Sequence, residues 1–120
     1  MPKNKVPILR QKRLTFWDEY EKRETVLVAD IVAEAGAWVN WLKDDRTISF
    51  RFIGPDERSV SVNKEPRPYF EREGQTIDIW YAYKTINRRR KRYYLGKSEN
   101  VSYKKLREAV AELYSRLSTT

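Results

Sequence analysis

The chain contains no cysteine and no histidine, and only four glycines among its 120 residues. Without cysteine there is no disulfide and no thiolate-held metal, which fits a reducing compartment. Without histidine the commonest general base and the commonest metal ligand are both missing. Carboxylate metal sites and serine or lysine nucleophiles stay open, yet no such pair stands at a diagnostic spacing. The scarce glycines form neither a GxxxxGK[ST] nor a GxGxxG phosphate loop. These absences point to a protein that is not an enzyme and takes no cofactor. No apolar run approaches the roughly 18 residues that a membrane helix needs, so no span and no membrane partner are expected. The opening MPKNKVPILRQKR is basic but lacks an apolar core and a small-residue cleavage site, so no signal peptide is expected.

Acid is missing from one stretch in particular. The net charge is +8, and residues 84–107 hold ten basic residues against a single acid, Glu99, for +9. Residues 1–13 add +5, residues 14–83 contribute −5 and the remainder −1. An even excess would speak only for solubility. A localised one is the footprint of a surface that meets a polyanion. With 40% hydrophobic and 13% aromatic residues the chain should bury a core. The expected organisation is a flexible basic arm over 1–12, able to add sequence-independent phosphate contacts, then one α+β domain over 13–120.

The positive charge centres on TIDIWYAYKTINRRRKRYYLGK, residues 76–97. Ile77 to Tyr83 is β-branched and aromatic, which suits a pleated, half-buried strand. Asn87 and Arg88 mark a turn, and Arg90 to Leu95 return as a second aromatic strand, so the stretch predicts an antiparallel hairpin. Arg88, Arg89, Arg90, Lys91 and Arg92 run consecutively into Tyr93 and Tyr94. Arginines neutralise phosphate and interleaved rings supply stiff contact area, a combination suited to nucleic acid. A plain solvated basic turn is the competing reading.

In chain order, residues 13–29 predict two short strands around a charged turn centred on Glu21 to Glu24. Asp30 is placed to cap a helix over residues 31–43, where Ile31, Ala35, Trp38 and Leu42 form an apolar stripe. Gly36 in that helix suggests a close approach, and Trp38 and Trp41 read as core aromatics rather than a ligand pocket. TISFRFI, a GPDE turn at 54–57 and SVSVNK predict a second hairpin. Its apolar face bears Ile48, Phe50, Phe52, Val60 and Val62, and its polar face Ser49, Arg51, Ser59, Ser61 and Asn63. Pro66 and Pro68 are expected to end that strand, and 71–74 to be a loop. Ser102 then caps a helix of about four turns with Tyr103, Leu106, Val110, Leu113 and Leu117 on one stripe. Lys104, Lys105 and Arg107 stand near its N-terminus, where the dipole disfavours cations and a passing phosphate would favour them.

The string W-Y-A-Y-K at 80–84, then R-Y-Y-L-G at 92–96, then a helix containing E-A-V-A-E-L, resembles the signature of AP2-type and integrase arm-type DNA-binding domains, over about residues 58–117. WYAYK…RRKRYYLGKSENVSYKKL is also similar to a segment accompanying LuxR/MalT-type ATP-dependent transcriptional regulators and their short stand-alone relatives. The resemblance implies a small antiparallel sheet, a three-stranded AP2-like core plus N-terminal strands, packed against a long C-terminal helix and a shorter N-terminal one. It implies that Trp80, Ala82 and Leu95 face the helix, while Tyr81, Tyr83, Thr85, Arg90, Arg92 and Tyr94 face duplex DNA. Ser59, Ser61 and Asn63 would continue that surface, with Lys64 and Arg67 nearby in place of the family's first-strand arginines. The predicted nucleic-acid-binding set is therefore Tyr81, Tyr83, Arg88, Arg89, Arg90, Lys91, Arg92, Tyr94, Lys97, Lys104, Lys64 and Arg67.

The expected role is a non-enzymatic, nucleoid-associated DNA-binding factor serving transcription or a mobile element, alone or with a larger regulator. Two alternatives stay open. One is an RNA or single-strand binder with its tyrosines as stacking platforms. The other is an interaction subunit that docks an acidic protein partner.

Overall fold

The computed structural model describes residues 6–68 and 73–118. Its strands are β1 (Ile8–Arg10), β2 (Arg13–Asp18), β3 (Arg23–Val28), β4 (Ser49–Ile53), β5 (Ser59–Pro68), β6 (Thr76–Ile86) and β7 (Arg89–Gly96). The helices are α1 (Ala35–Lys43) and α2 (Tyr103–Ser118). The fold is α+β, and all seven of these strands join one sheet in the order β3-β2-β1-β4-β5-β6-β7, with β3 and β7 at its edges.

Alternation along each strand, carried across the sheet by the register, generates two different faces. On one face Val28, Leu14, Leu9, Phe52 and Val60 stand side by side on five strands. The next row is Phe50, Val62, Ala82 and Tyr93. Apart from half-buried Tyr93, every member of both rows is buried. Both helices cover this face. Leu106, Ala109, Val110 and Leu113 of α2 join the same core as Trp38 and Leu42 of α1. Four rings meet at its centre: Phe50 lies 5.4 Å from Trp38, 5.7 Å from Trp41 and 5.5 Å from Trp80. Edge and tilted ring pairs of this kind add about 1 kcal/mol each beyond area burial. Two of the indole N–H groups have hydrogen-bond partners as well. Trp38 donates to the Val101 carbonyl at 2.7 Å and Trp80 to Ser98 Oγ at 3.0 Å.

Several expectations change, Ile48 first: it precedes β4 and is 66% exposed rather than part of the apolar face. The arm expected over 1–12 is interrupted by β1, which lies in the middle of the sheet with Leu9 fully buried; residues 1–5 lie outside the described residues. The short Ile8-Leu9 pair outweighs the surrounding charge because two neighbours satisfy its backbone. β1 pairs antiparallel with β2 and parallel with β4, so the sheet is mixed rather than purely antiparallel. The first helix starts at Ala35, not Ile31. Asp30 Oδ1 accepts the Val32 and Ala33 N–H groups instead, and these bonds hold its carboxyl below the usual range. Gly36 has nothing within 4 Å of where a Cβ would stand, so no close approach occurs there.

Pro66 does not end β5, which runs through it to Pro68. Lys64 N–H points toward β4, to the Ile48 carbonyl at 2.9 Å. Residues 66 and 68 share that parity and face the side where β4 has already ended, so no ladder donor is lost. The GPDE turn, the Ser102 cap and the 87–88 hairpin turn form as expected: Glu57 N–H reaches the Gly54 carbonyl, Lys105 N–H reaches Ser102 Oγ, and Asn87 and Arg88 have φ of 52° and 65°. The loop expected at 71–74 falls partly outside the described residues, as does the Leu117 side chain. No helix among the described residues is long and apolar enough to cross a membrane.

Candidate nucleic-acid interface

Among the described residues no element lies over the second face of the sheet. One row across it reads Thr15, Ile8, Arg51, Ser61, Tyr83 and Arg92 on six strands. The adjacent row reads Ser49, Asn63, Tyr81 and Tyr94. Thr85 and Arg90 pair toward the hairpin tip, while Glu65 and Arg67 of β5 lie beside Ile79 and Ile77 toward the other end. The expected division of β6 and β7 by parity is present: Trp80, Ala82 and Leu95 are fully buried toward the helices, and Tyr81, Tyr83, Thr85, Arg90, Arg92 and Tyr94 lie on the bare face.

Guanidinium groups and tyrosines on this face are built into one lattice. Arg90 sits 4.1 Å from the centre of the Tyr83 ring, and Arg92 sits 4.5 Å from that of Tyr81. Arg67 lies over Tyr81 at 5.3 Å. Hydrogen bonds link the same groups: Arg92 donates to the Tyr83 hydroxyl, which donates to Glu65. Arg67 donates to Glu65 at 2.9 Å and to the Tyr81 hydroxyl. Burial first, then the bond to Glu65, push the Tyr83 hydroxyl above its ordinary pKa. Cation–π contacts of this sort hold long arginines in place without neutralising them. Tyr81 is nearly covered as a result, whereas Tyr94 is 58% exposed.

The consecutive cations split by parity. Arg90 and Arg92 lie on the bare face, Arg89 and Lys91 point to the helix side opposite Ile86 and Lys84, and Arg88 occupies the turn. All five are exposed, and Arg88, Arg89, Arg90 and Lys91 form no ion pair with a carboxylate among the described residues. Lys64 belongs to the helix side. Its Nζ donates to the Asp44 carbonyl at 3.1 Å and lies 5.5 Å from the Trp80 ring centre, so it is not part of the bare face as expected. Lys104 stands exposed on α2, also behind the sheet, and Lys97 is exposed just past β7. Lys105 is tied to the Leu95 carbonyl at 3.1 Å and Arg107 lies over Tyr103, which explains two cations at the α2 N-terminus without a phosphate.

The sequence reading did not assign Arg51 or Glu65 to the site. Arg51 was visible as the outward residue of SFRFI. Glu65 was hidden by the assumption that Pro66 closes the strand.

Two concavities flank this geometry. A polar trough on the bare face, about 310 Å³ in volume, is bordered by Arg51, Ser59, Ser61, Asn63, Thr85 and Arg90. An apolar groove of about 650 Å³ on the helix side is lined by Phe16, Leu27, Trp41 and Ile48 among others. Trp38 is thus core as expected, while Trp41 also borders an opening. Comparison of the chain with protein-family models, curated proteins and solved structures returns no match.

Proposed function

We propose that this chain is a non-enzymatic DNA-binding module whose contact surface is the bare face of β5, β6 and β7, acting as a regulatory or accessory factor. The observation that carries the reading is the guanidinium–tyrosine lattice. Three arginines stand on a face that no element covers among the described residues, and each is held over a ring. Restraining a long side chain before binding lowers the entropy that binding must overcome. Fixed guanidinium groups suit phosphate oxygens and guanine edges alike.

The β5–β6–β7 part of the sheet with α2 behind it matches the layout of the AP2-type resemblance only loosely, since it belongs to a seven-stranded mixed sheet. The width of the bare face suits a duplex. Arg51 and Arg92 share a row three strand spacings across, roughly 14 Å, close to the about 12 Å width of the DNA major groove.

Single-strand recognition by stacking has less to support it, because the tyrosine faces it needs are already taken. Arg67 and Arg92 lie over Tyr81 and Arg90 over Tyr83, leaving Tyr94 as the open ring of the hairpin.

The split of the basic run supplies a controlled test. Binding to a random-sequence duplex of about 30 base pairs, and to its single strand, is measured across a salt series. The Arg90→Gln/Arg92→Gln variant should bind more weakly and lose about two ions from the slope of log K against log salt. Lys91→Gln, on the opposite face, should retain nearly the wild-type slope. Equal effects from the two variants would mean that only bulk charge matters. No wild-type binding near 50 mM salt would leave the face as a docking surface for an acidic protein.

A further inference from the structure

Beyond the hairpin, the bare face carries one feature shaped to receive a single group. The trough between β4 and the hairpin tip has Arg51 on one wall and Arg90 on the other, with Ser59, Ser61 and Thr85 hydroxyls and the Asn63 amide between them. The remaining lining, Val60, Tyr83 and Lys84, adds no carboxylate. Donors of this kind, converging without an acid, select an anion rather than a cation or an apolar ligand. Arg51 is exposed and has no ion-pair partner among the described residues, so its charge is not spent inside the protein. The trough holds the volume of about ten waters, room for a tetrahedral oxyanion and part of its hydration shell.

The position matters as much as the chemistry. Arg51 lies in the same row as Ser61, Tyr83 and Arg92, so the trough is continuous with the arginine-bearing face. Its strand β4 lies outside the three-stranded unit to which the sequence resemblance extends. We propose that the trough is a phosphate-binding site that seats one backbone phosphodiester of a nucleic acid lying on the sheet, with Arg51 and Arg90 as its clamp. This rests on the DNA-binding reading for the polymer, though not for the oxyanion. The site adds affinity without sequence information, since phosphate is common to every base step. It fixes where the duplex crosses β4 and so sets its register on the face.

Arg51→Ala and Ser61→Asp test the assignment. Both positions are exposed on the bare face, so the fold should survive. On a random-sequence duplex, Arg51→Ala should bind about fivefold more weakly, with the salt slope smaller by about one ion. The loss should be the same on unrelated sequences. Ser61→Asp, which sets a carboxylate in the trough, should weaken binding further. In amide NMR of the wild type, the duplex should shift Ser61 and Thr85, and inorganic phosphate should shift the same amides at far higher concentration.

If both variants keep the wild-type slope while Arg90→Gln/Arg92→Gln loses it, the trough proposal fails and the DNA-binding reading stands. If phosphate shifts these amides and the duplex does not bind, the oxyanion site stands and its nucleic-acid source is wrong. If neither ligand moves them, both fail.

Discussion

At the scale of single residues, Glu65 is the carboxylate set among the arginines of the bare face. Its carboxylate accepts from Tyr83 and Arg67, so it ties two strands of the lattice together. It also places a negative charge beside the arginines. Glu65→Gln keeps a carbonyl acceptor and removes the charge, so duplex affinity should rise about two- to threefold at low salt, with the gain fading as salt screens the face. The same variant has a pH signature. A tyrosine whose folded pKa is raised contributes stability that is fully present below its ordinary pKa near 10, and loses it as pH rises through the higher folded value. With the carboxylate gone, one of the raising influences on Tyr83 disappears. Absorbance titration near 295 nm should therefore show one tyrosine ionising at lower pH in Glu65→Gln than in the wild type. An unchanged titration would mean that burial alone sets it.

At the scale of elements, the β6–β7 hairpin shows most clearly what the sequence disclosed and what it concealed. A two-residue turn with positive φ at both positions matches the right-handed twist of paired strands, and glycine is the residue best suited to the second place. This chain puts Arg88 there at φ 65°, in the left-handed region, where a side chain costs about 1 kcal/mol or more. Arg88→Gly should raise unfolding free energy by about 1 kcal/mol, read as a melting temperature higher by about 4 °C, while duplex affinity falls. A variant that gains stability and loses no affinity would show that Arg88 does not touch the ligand.

Strand alternation made the two faces of β4 to β7 legible, because Phe50, Phe52, Val60, Val62, Trp80 and Ala82 each share a parity with their partners. The reach of the strands was less legible. Pro66 looked like a stop because a sequence does not say which side of a strand lacks a neighbour. Leu9 looked like part of an arm for a related reason. Its burial depends on β4, about forty residues away, and three residues are too few to show a period. Lys64 and Lys105 carried the right charge in the right region, yet carbonyls of Asp44 and Leu95 hold them elsewhere.

At the scale of the whole molecule, an excess of +8 is arranged on a sheet with one side packed and the other bare. Among the described residues the sheet ends at β7, whose outer backbone groups pair with no further strand. Such a border is a template for another copy of the same chain, and β3, the opposite border, exposes Val26 and Leu27. Arg89, Arg90, Lys91 and Arg92 stand in succession along β7, so two copies approaching by this edge repel before their backbones can pair. The pair on the helix side is therefore not idle. Replacing Arg89 and Lys91 with threonine, a good strand former, should leave the bare face unchanged and increase the mass-average sedimentation coefficient at high protein concentration. Identical sedimentation would show that edge charge is not what keeps copies apart. By the same reasoning, a polyanion that neutralises this border removes the repulsion while it is bound. The residues proposed to hold DNA thus also govern colloidal behaviour, and conditions that screen them bring the chain closer to aggregation.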